Sequence, residues 1–178
     1  MVVRNHLREL LADLPGSETF FLADKVERDL VLAFLMTFAR AEYALKAKGF
    51  ARPISSGGIS IGWDCFAEEI APRLWESDDQ AVSKAIDYLT RNPPMREVLG
   101  PERWEERKPN RHQDTRFLIR SVTTVRNNLF HGGKEMRWRL AERDRDLLES
   151  CLTVLKYCLA LHEGVWRAFA EAGPSHAA

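Results

Sequence analysis

Apolar residues recur every three to four positions along most of the chain, which is the spacing that one face of an α-helix presents. The pattern predicts five helical segments, over residues 24–48, 63–75, 78–90, 114–130 and 141–170. The stretches between them are rich in glycine, proline, serine or charged residues and favour loops. No segment has the alternation of a strand, and no internal repeat is present. The sequence therefore predicts an all-α fold, a helical bundle of four to five main helices with a long C-terminal helix.

Several predicted helix ends carry residues suited to capping. Asp24, Ser77 and Asp114 each precede a helix, where a side-chain oxygen can accept a hydrogen bond from an N–H group of the first turn. Gly49 follows the first helix, and glycine commonly ends a helix because it adopts a left-handed conformation without strain. Pro72 lacks the N–H group that a helix interior uses, so we expect it to interrupt the second helix.

The length of 178 residues suits one domain, which we place over residues 1–172 with a frayed tail over 173–178. Hydrophobic residues make up 45% of the chain and charged residues 29%, which excludes disordered and collagen-like classes. The longest apolar run, Leu30–Met36, is too short to span a membrane. The first residues lack the layout of a signal peptide, and three cysteines are too few for a disulfide framework, so we expect a cytoplasmic protein without membrane contact.

The charge distribution is uneven although the formal net charge is zero. Residues 91–145 carry 14 Lys or Arg against 8 Asp or Glu, and the flanking segments are acidic. A basic segment of this kind is consistent with a polyanionic ligand. It is equally consistent with ion pairing between the basic segment and the acidic first half, and the sequence leaves both interpretations open.

The most informative segment is Val125–Lys134, in which four residues separate Arg126 from His131 and two glycines follow the histidine. Histidine exchanges a proton near neutral pH, and the arginine guanidinium is a permanent fork-shaped donor for a phosphate. On an ideal helix the two side chains are about 140° apart, so one helix cannot present both on a single face. Either the helix ends before His131 or the site also uses a second copy of the motif.

The segment resembles the Arg-x4–6-His signature of the HEPN superfamily, helical domains that are common in bacterial toxin and phage-defence systems. The resemblance is to a largely uncharacterised subgroup and covers about two thirds of the chain. It extends to three further segments, Phe38–Glu42, Asn92–Pro94 and Arg143–Asp144.

The resemblance implies an endoribonuclease that needs no metal ion and no cofactor. Two protomers would pack their 114–130 helices together and form a composite site that leaves cyclic phosphate ends. It assigns Arg126 to stabilisation of the phosphate and transition state, His131 to proton transfer and Asn127 to orientation of either one. The implied partners are RNA, a second copy of the chain and an antitoxin or sensor protein. The alternative is a non-catalytic HEPN-like module that binds RNA or nucleotide, or serves in dimerisation.

Three further cations are candidate substrate-binding residues. Lys134 follows the two glycines and can reach a phosphate, although a solvated lysine is the simpler interpretation. Arg116 and Arg120 lie one turn apart on the helix that leads into the motif, where they extend a phosphate track or form an ordinary solvated face.

One other group of residues raises the question of a metal site. Cys151, Cys158 and His162 share a helical stripe, but the stripe is otherwise rich in leucine and offers no fourth ligand. We therefore expect these three residues to pack in the core, and we predict no metal site.

Overall fold

The computed structural model describes residues 25–99, 104–110, 113–130 and 142–171. Within these residues the chain forms six helices: α1 (Lys25–Ala47), α2 (Trp63–Trp75), α3 (Gln80–Arg91), α4 (Thr115–Phe130), α5 (Glu142–Ala160) and α6 (Glu163–Glu171). They account for most of the described residues, which confirms the predicted all-α class. No helix in this part of the chain is both long enough and apolar enough to cross a membrane.

Two small antiparallel hairpins join the helices. Strand β1 (Ala51–Pro53) pairs with β2 (Ile59–Ile61), and β3 (Met95–Glu97) pairs with β4 (Trp104–Glu106). The expectation of a chain without strands was wrong at these two places. Each strand has only three residues, too few for an alternating pattern to stand out in the sequence.

Two predicted helix ends are confirmed. The carboxylate of Asp114 accepts a hydrogen bond from the Phe117 N–H at 2.9 Å and another from the Asn110 N–H at 3.1 Å. Gly49 follows α1 with a φ of +87°, the left-handed conformation expected of a glycine at a helix end. Asp24 lies outside the described residues.

Two other local predictions were wrong. Asp79, not Ser77, caps α3, and its Oδ1 accepts hydrogen bonds from the N–H groups of Ala81 and Val82 at 2.8 and 3.1 Å. Ser77 supports the same turn, because its hydroxyl accepts a hydrogen bond from the Asp79 N–H. Helix α2 continues through Pro72 to Trp75, so the proline does not interrupt it.

The helix predicted over residues 141–170 is divided in two. Helix α5 ends at Ala160 and α6 begins at Glu163, because His162 caps α6: its Nδ1 accepts a hydrogen bond from the Val165 N–H at 3.1 Å. Helix α2 holds this junction in place. Arg73 donates to the carbonyl of Leu161, and Glu69 lies 3.0 Å from the His162 Nε2.

Helix α5 lies at the centre of the bundle and packs against α1, α3, α4 and α6. Its inward face is fully buried at Leu148, Cys151, Val154, Leu155 and Cys158. Helix α4 contributes the predicted apolar stripe, with Leu118, Val122 and Val125 buried and Leu129 partly buried. Burial of this stripe sets the rotation of α4 and so determines where the motif residues on its other faces point.

Candidate functional site

The first half of the Arg-x4-His motif lies in the last turns of α4. Arg126 is half-buried and Asn127 is exposed. The Arg126 Nη1 donates a hydrogen bond to the Asn127 Oδ1 at 3.0 Å, so these two neighbouring side chains are paired. His131 and Lys134, together with the two glycines, lie outside the described residues.

Arg126 rests on an aromatic surface supplied by α1. Its guanidinium carbon lies 5.4 Å from the centre of the Phe38 ring, and Phe38 in turn packs against Trp63 with ring centres 5.1 Å apart. A cation over a partly desolvated aromatic ring gains about 0.5–2 kcal/mol. The contact with the ring uses none of the N–H donors of a guanidinium, which are the groups that bind phosphate oxygens.

Asn128, the next residue of the motif, attaches α4 to the β3 hairpin. Its side-chain amide donates to the carbonyl of Met95 at 2.8 Å. The two residues before Met95, Pro93 and Pro94, are buried. Asn128 therefore fastens the end of α4 to the start of β3.

The segment before β3 is also held by the start of α5. Arg143 donates from its Nη2 to the carbonyl of Pro93 at 2.9 Å, and the Tyr88 hydroxyl donates to the carbonyl of Arg143 at 3.2 Å. Burial raises the pKa of Tyr88, and the negative charge of Asp146 adds to the shift, so this hydroxyl remains a donor. Hydrogen bonds thus link the C-terminal half of α4 to β3, and the segment before β3 to the start of α5.

The two arginines proposed as a phosphate track are engaged by α2. Arg120 binds Asp64 through two hydrogen bonds, Nε to Oδ1 at 3.0 Å and Nη2 to Oδ2 at 2.6 Å. Arg116 forms an ion pair with Glu68 one turn away. Arg116 and Arg120 belong to the basic segment, and their partners belong to the acidic first half of the chain. For these two cations the structure therefore shows the ion pairing that was one of the two interpretations of the uneven charge.

Sequence reasoning missed Asp64 and Glu68, although a signal for them exists. Both pairs are spaced four residues apart, Asp64 with Glu68 and Arg116 with Arg120, so each helix presents two charges on one face. The first carboxylate meets the second arginine, which is the register of two antiparallel helices. The matched spacing of opposite charges is visible in the sequence. The sequence does not show which of the other helices packs against α4.

The ion pair between Arg120 and Asp64 predicts a pH dependence of stability. The hydrogen bond from Arg120 lowers the pKa of Asp64 below its ordinary value of 3.8, against the opposing effect of burial, and the charges of Arg116 and Arg107 lower it further. A carboxyl whose pKa is lower in the folded state stabilises the fold above its ordinary pKa, and this stabilisation disappears as the pH falls through the lowered value. We expect Asp64→Asn to reduce the free energy of unfolding at neutral pH and to reduce it by less in acid, below the ordinary pKa of this carboxyl.

Urea unfolding of the parent and Asp64→Asn proteins at about pH 7 and about pH 3 measures this difference. Glu149→Gln, which removes an exposed carboxylate on α5, is the matched control and should change stability little at either pH. The same loss of stability for Asp64→Asn at both pH values would contradict the prediction.

The cysteine stripe is part of the core, as predicted for the cysteines. Cys151 and Cys158 are fully buried in α5, and burial raises the pKa of Cys158 to about 12 and that of Cys151 further. His162 is half-buried and uses both ring nitrogens at the junction of α5 and α6. No group of three or more His, Cys, Asp or Glu in the described part of the chain is arranged to hold a metal ion.

Comparison with other proteins adds no family assignment to this geometry. No protein-family model matches the chain, and neither curated proteins nor solved structures give a match.

Proposed function

We propose that this protein is an endoribonuclease that cleaves RNA without a metal ion, as toxin or phage-defence effectors do. It acts as a homodimer, and each copy contributes Arg126 and His131 to a composite site. The observation that carries the proposal is the placement of Arg126 on Phe38, with Asn127 hydrogen-bonded to its guanidinium. An arginine held over an aromatic ring and hydrogen-bonded to its neighbour, at the start of an Arg-x4-His motif, is suited to binding a phosphate oxygen.

The chemistry uses the RNA's own 2′-hydroxyl as the nucleophile. Its oxygen attacks the neighbouring phosphorus, the bond from phosphorus to the 5′-oxygen breaks, and the products are a 2′,3′-cyclic phosphate and a 5′-hydroxyl. One histidine accepts the proton of the 2′-hydroxyl and the other donates a proton to the departing 5′-oxygen. In a homodimer these are His131 and its counterpart in the second copy. Arg126 stabilises the negative charge that develops on the phosphate oxygens.

The remaining candidate residues act in substrate binding. Lys134 contributes a positive charge beyond the motif. Arg116 and Arg120 keep about half and two fifths of their side-chain surface exposed while they are paired with carboxylates. An arginine carries five N–H donors, so a guanidinium that binds a carboxylate can also bind a phosphate at its other edge. We place the protein in the cytoplasm, with an antitoxin or sensor protein as its regulator.

The second candidate function is a non-catalytic module of the same type that binds RNA or nucleotide, or serves in dimerisation. The ion pairs of Arg116 with Glu68 and of Arg120 with Asp64 favour it, because they reduce the positive potential that a polyanion meets on α4.

The test is an assay of the purified protein on total RNA in the presence of EDTA. We expect cleavage at a rate that EDTA does not change, with cyclic phosphate at the new 3′ ends, because the mechanism uses side chains and the 2′-hydroxyl alone. A strict requirement for a divalent metal would overturn the mechanism. Absence of cleavage, together with a gel shift of labelled single-stranded RNA, would favour the second candidate.

A further inference from the structure

Helix α1 exposes a regular row of side chains on the side that faces away from the core. The row, which we call the α1 seam, consists of Asp29, Leu32, Met36, Ala39, Tyr43 and Lys46. All six residues are exposed, and the three large apolar ones, Leu32, Met36 and Tyr43, have 58%, 64% and 54% of their surface accessible.

The spacing of the α1 seam is that of a coiled-coil interface. Its members follow one another by steps of three, four, three, four and three residues, the alternation that keeps one stripe of a helix facing a partner helix. The buried residues of α1 occupy other positions of the same repeat, among them Phe34, Phe38 and Leu45. Helix α1 therefore has two apolar faces, and within the described residues only one of them is covered.

The charges at the ends of the seam indicate the partner. We propose that the α1 seam is the interface of a homodimer in which two α1 helices pack antiparallel. When the two-fold axis passes between residues 37 and 38, Asp29 lies opposite Lys46 of the second copy, Leu32 opposite Tyr43, and Met36 opposite Ala39. All six positions are paired in this one register, with opposite charges at both ends and a small residue facing a long one at the centre. A parallel arrangement places Asp29 against Asp29 and Lys46 against Lys46, which is repulsive.

The α1 seam is separate from the proposed nuclease site. Phe38, the residue on which Arg126 rests, belongs to the buried side of α1. The proposed composite site requires contact between two α4 helices, whereas the seam is a self-association surface on another helix. The inference therefore does not rest on the proposed function. If the α4 contact also forms, the parent protein assembles beyond a dimer and the seam variants stop at the α4 dimer, so molecular mass distinguishes the two interfaces.

The experiment uses charge reversal at the ends of the α1 seam in the full chain. Asp29→Lys places two lysines opposite each other at both ends, and Lys46→Asp does the same with two aspartates. We expect each single variant to weaken association about tenfold, because two attractive pairs become repulsive. The double variant Asp29→Lys/Lys46→Asp restores opposite charges and should associate like the parent protein.

Association is measured by sedimentation from about 1 to about 200 µM protein, a range that brackets the micromolar Kd of a small interface. Met36→Lys, at the centre of the seam, should weaken association about a hundredfold, since it buries an unpaired charge. Leu99→Lys is the matched control, because Leu99 is fully exposed in the β3 hairpin, outside the seam. Circular dichroism confirms that each variant is folded.

Three results would overturn the proposal. The first is a parent protein that is monomeric at every concentration, as expected if residues 1–24 cover the seam within one chain. The second is association that Met36→Lys leaves unchanged, which would place the interface elsewhere, such as on α4. The third is a double charge variant that associates no better than the single variants.

Discussion

Arg126→Ala and His131→Ala are each expected to abolish RNA cleavage, with a rate at least about a hundredfold below that of the parent protein. Loss of His131 removes a proton-transfer group, and loss of Arg126 removes the charge that stabilises the attacked phosphate. Arg126 is not part of the buried stripe of α4, and His131 does not continue the apolar periodicity of the sequence, so both variants should remain folded. The measurement is the initial rate of cleavage of total RNA with EDTA present, beside a thermal melt of each variant.

Arg167→Ala is the matched control for these two variants. Arg167 is an exposed arginine on α6 in an ion pair with Glu163, so its removal should change neither the rate nor the melting temperature appreciably. Asn127→Ala should lower the rate by a smaller factor than Arg126→Ala, because it removes only the hydrogen bond that orients the guanidinium. Undiminished cleavage by a folded His131→Ala protein would exclude the mechanism.

The largest effect on stability is expected from Leu155→Ala. Leu155 is fully buried in α5, the helix that packs against four others, so its truncation leaves a cavity that the neighbouring helices cannot close. Such a change costs about 2–5 kcal/mol. For a chain of this length it lowers the melting temperature by about 5–15 °C.

Leu99→Ala provides the comparison, because Leu99 is as exposed as an isolated side chain. Truncation there should change the free energy of unfolding by less than about 0.5 kcal/mol. Urea titrations of both variants give the two values directly. Equal stability of Leu155→Ala and Leu99→Ala would contradict the central position of α5.

The features that were predicted correctly from the sequence are those that depend on residues close together along the chain. Asp114 and Gly49 act within one turn of their helices, so their roles are visible in the local sequence. The division of the last helix was missed because its local cause, the His162 cap of α6, uses a residue outside the usual capping set. The contact that holds the junction in place, from Arg73 of α2 to the carbonyl of Leu161, joins distant parts of the chain. A pairing between residues so far apart along the chain leaves no periodic signal.

The same contrast applies to the candidate site. The spacing of Arg126 and Asn127 on the end of a helix follows from the sequence, and so does the burial of the stripe behind them. The Phe38 surface under Arg126 does not, because it depends on how α1 is rotated against α4. The pairing of Arg120 with Asp64 likewise depends on which helix lies beside α4.

The helical character of the chain, the ends of most helices and the apolar positions on each helix can all be predicted from the order of the residues. These properties follow from periodicity and from capping, both of which act over a few residues. The packing of the helices determines which charged side chains neutralise each other, which aromatic ring lies under Arg126 and which apolar stripe of α1 the other described helices leave exposed. The physical reason is that a helix with two apolar stripes, such as α1, satisfies the same periodicity whichever stripe it buries, and packing against the other helices makes the choice.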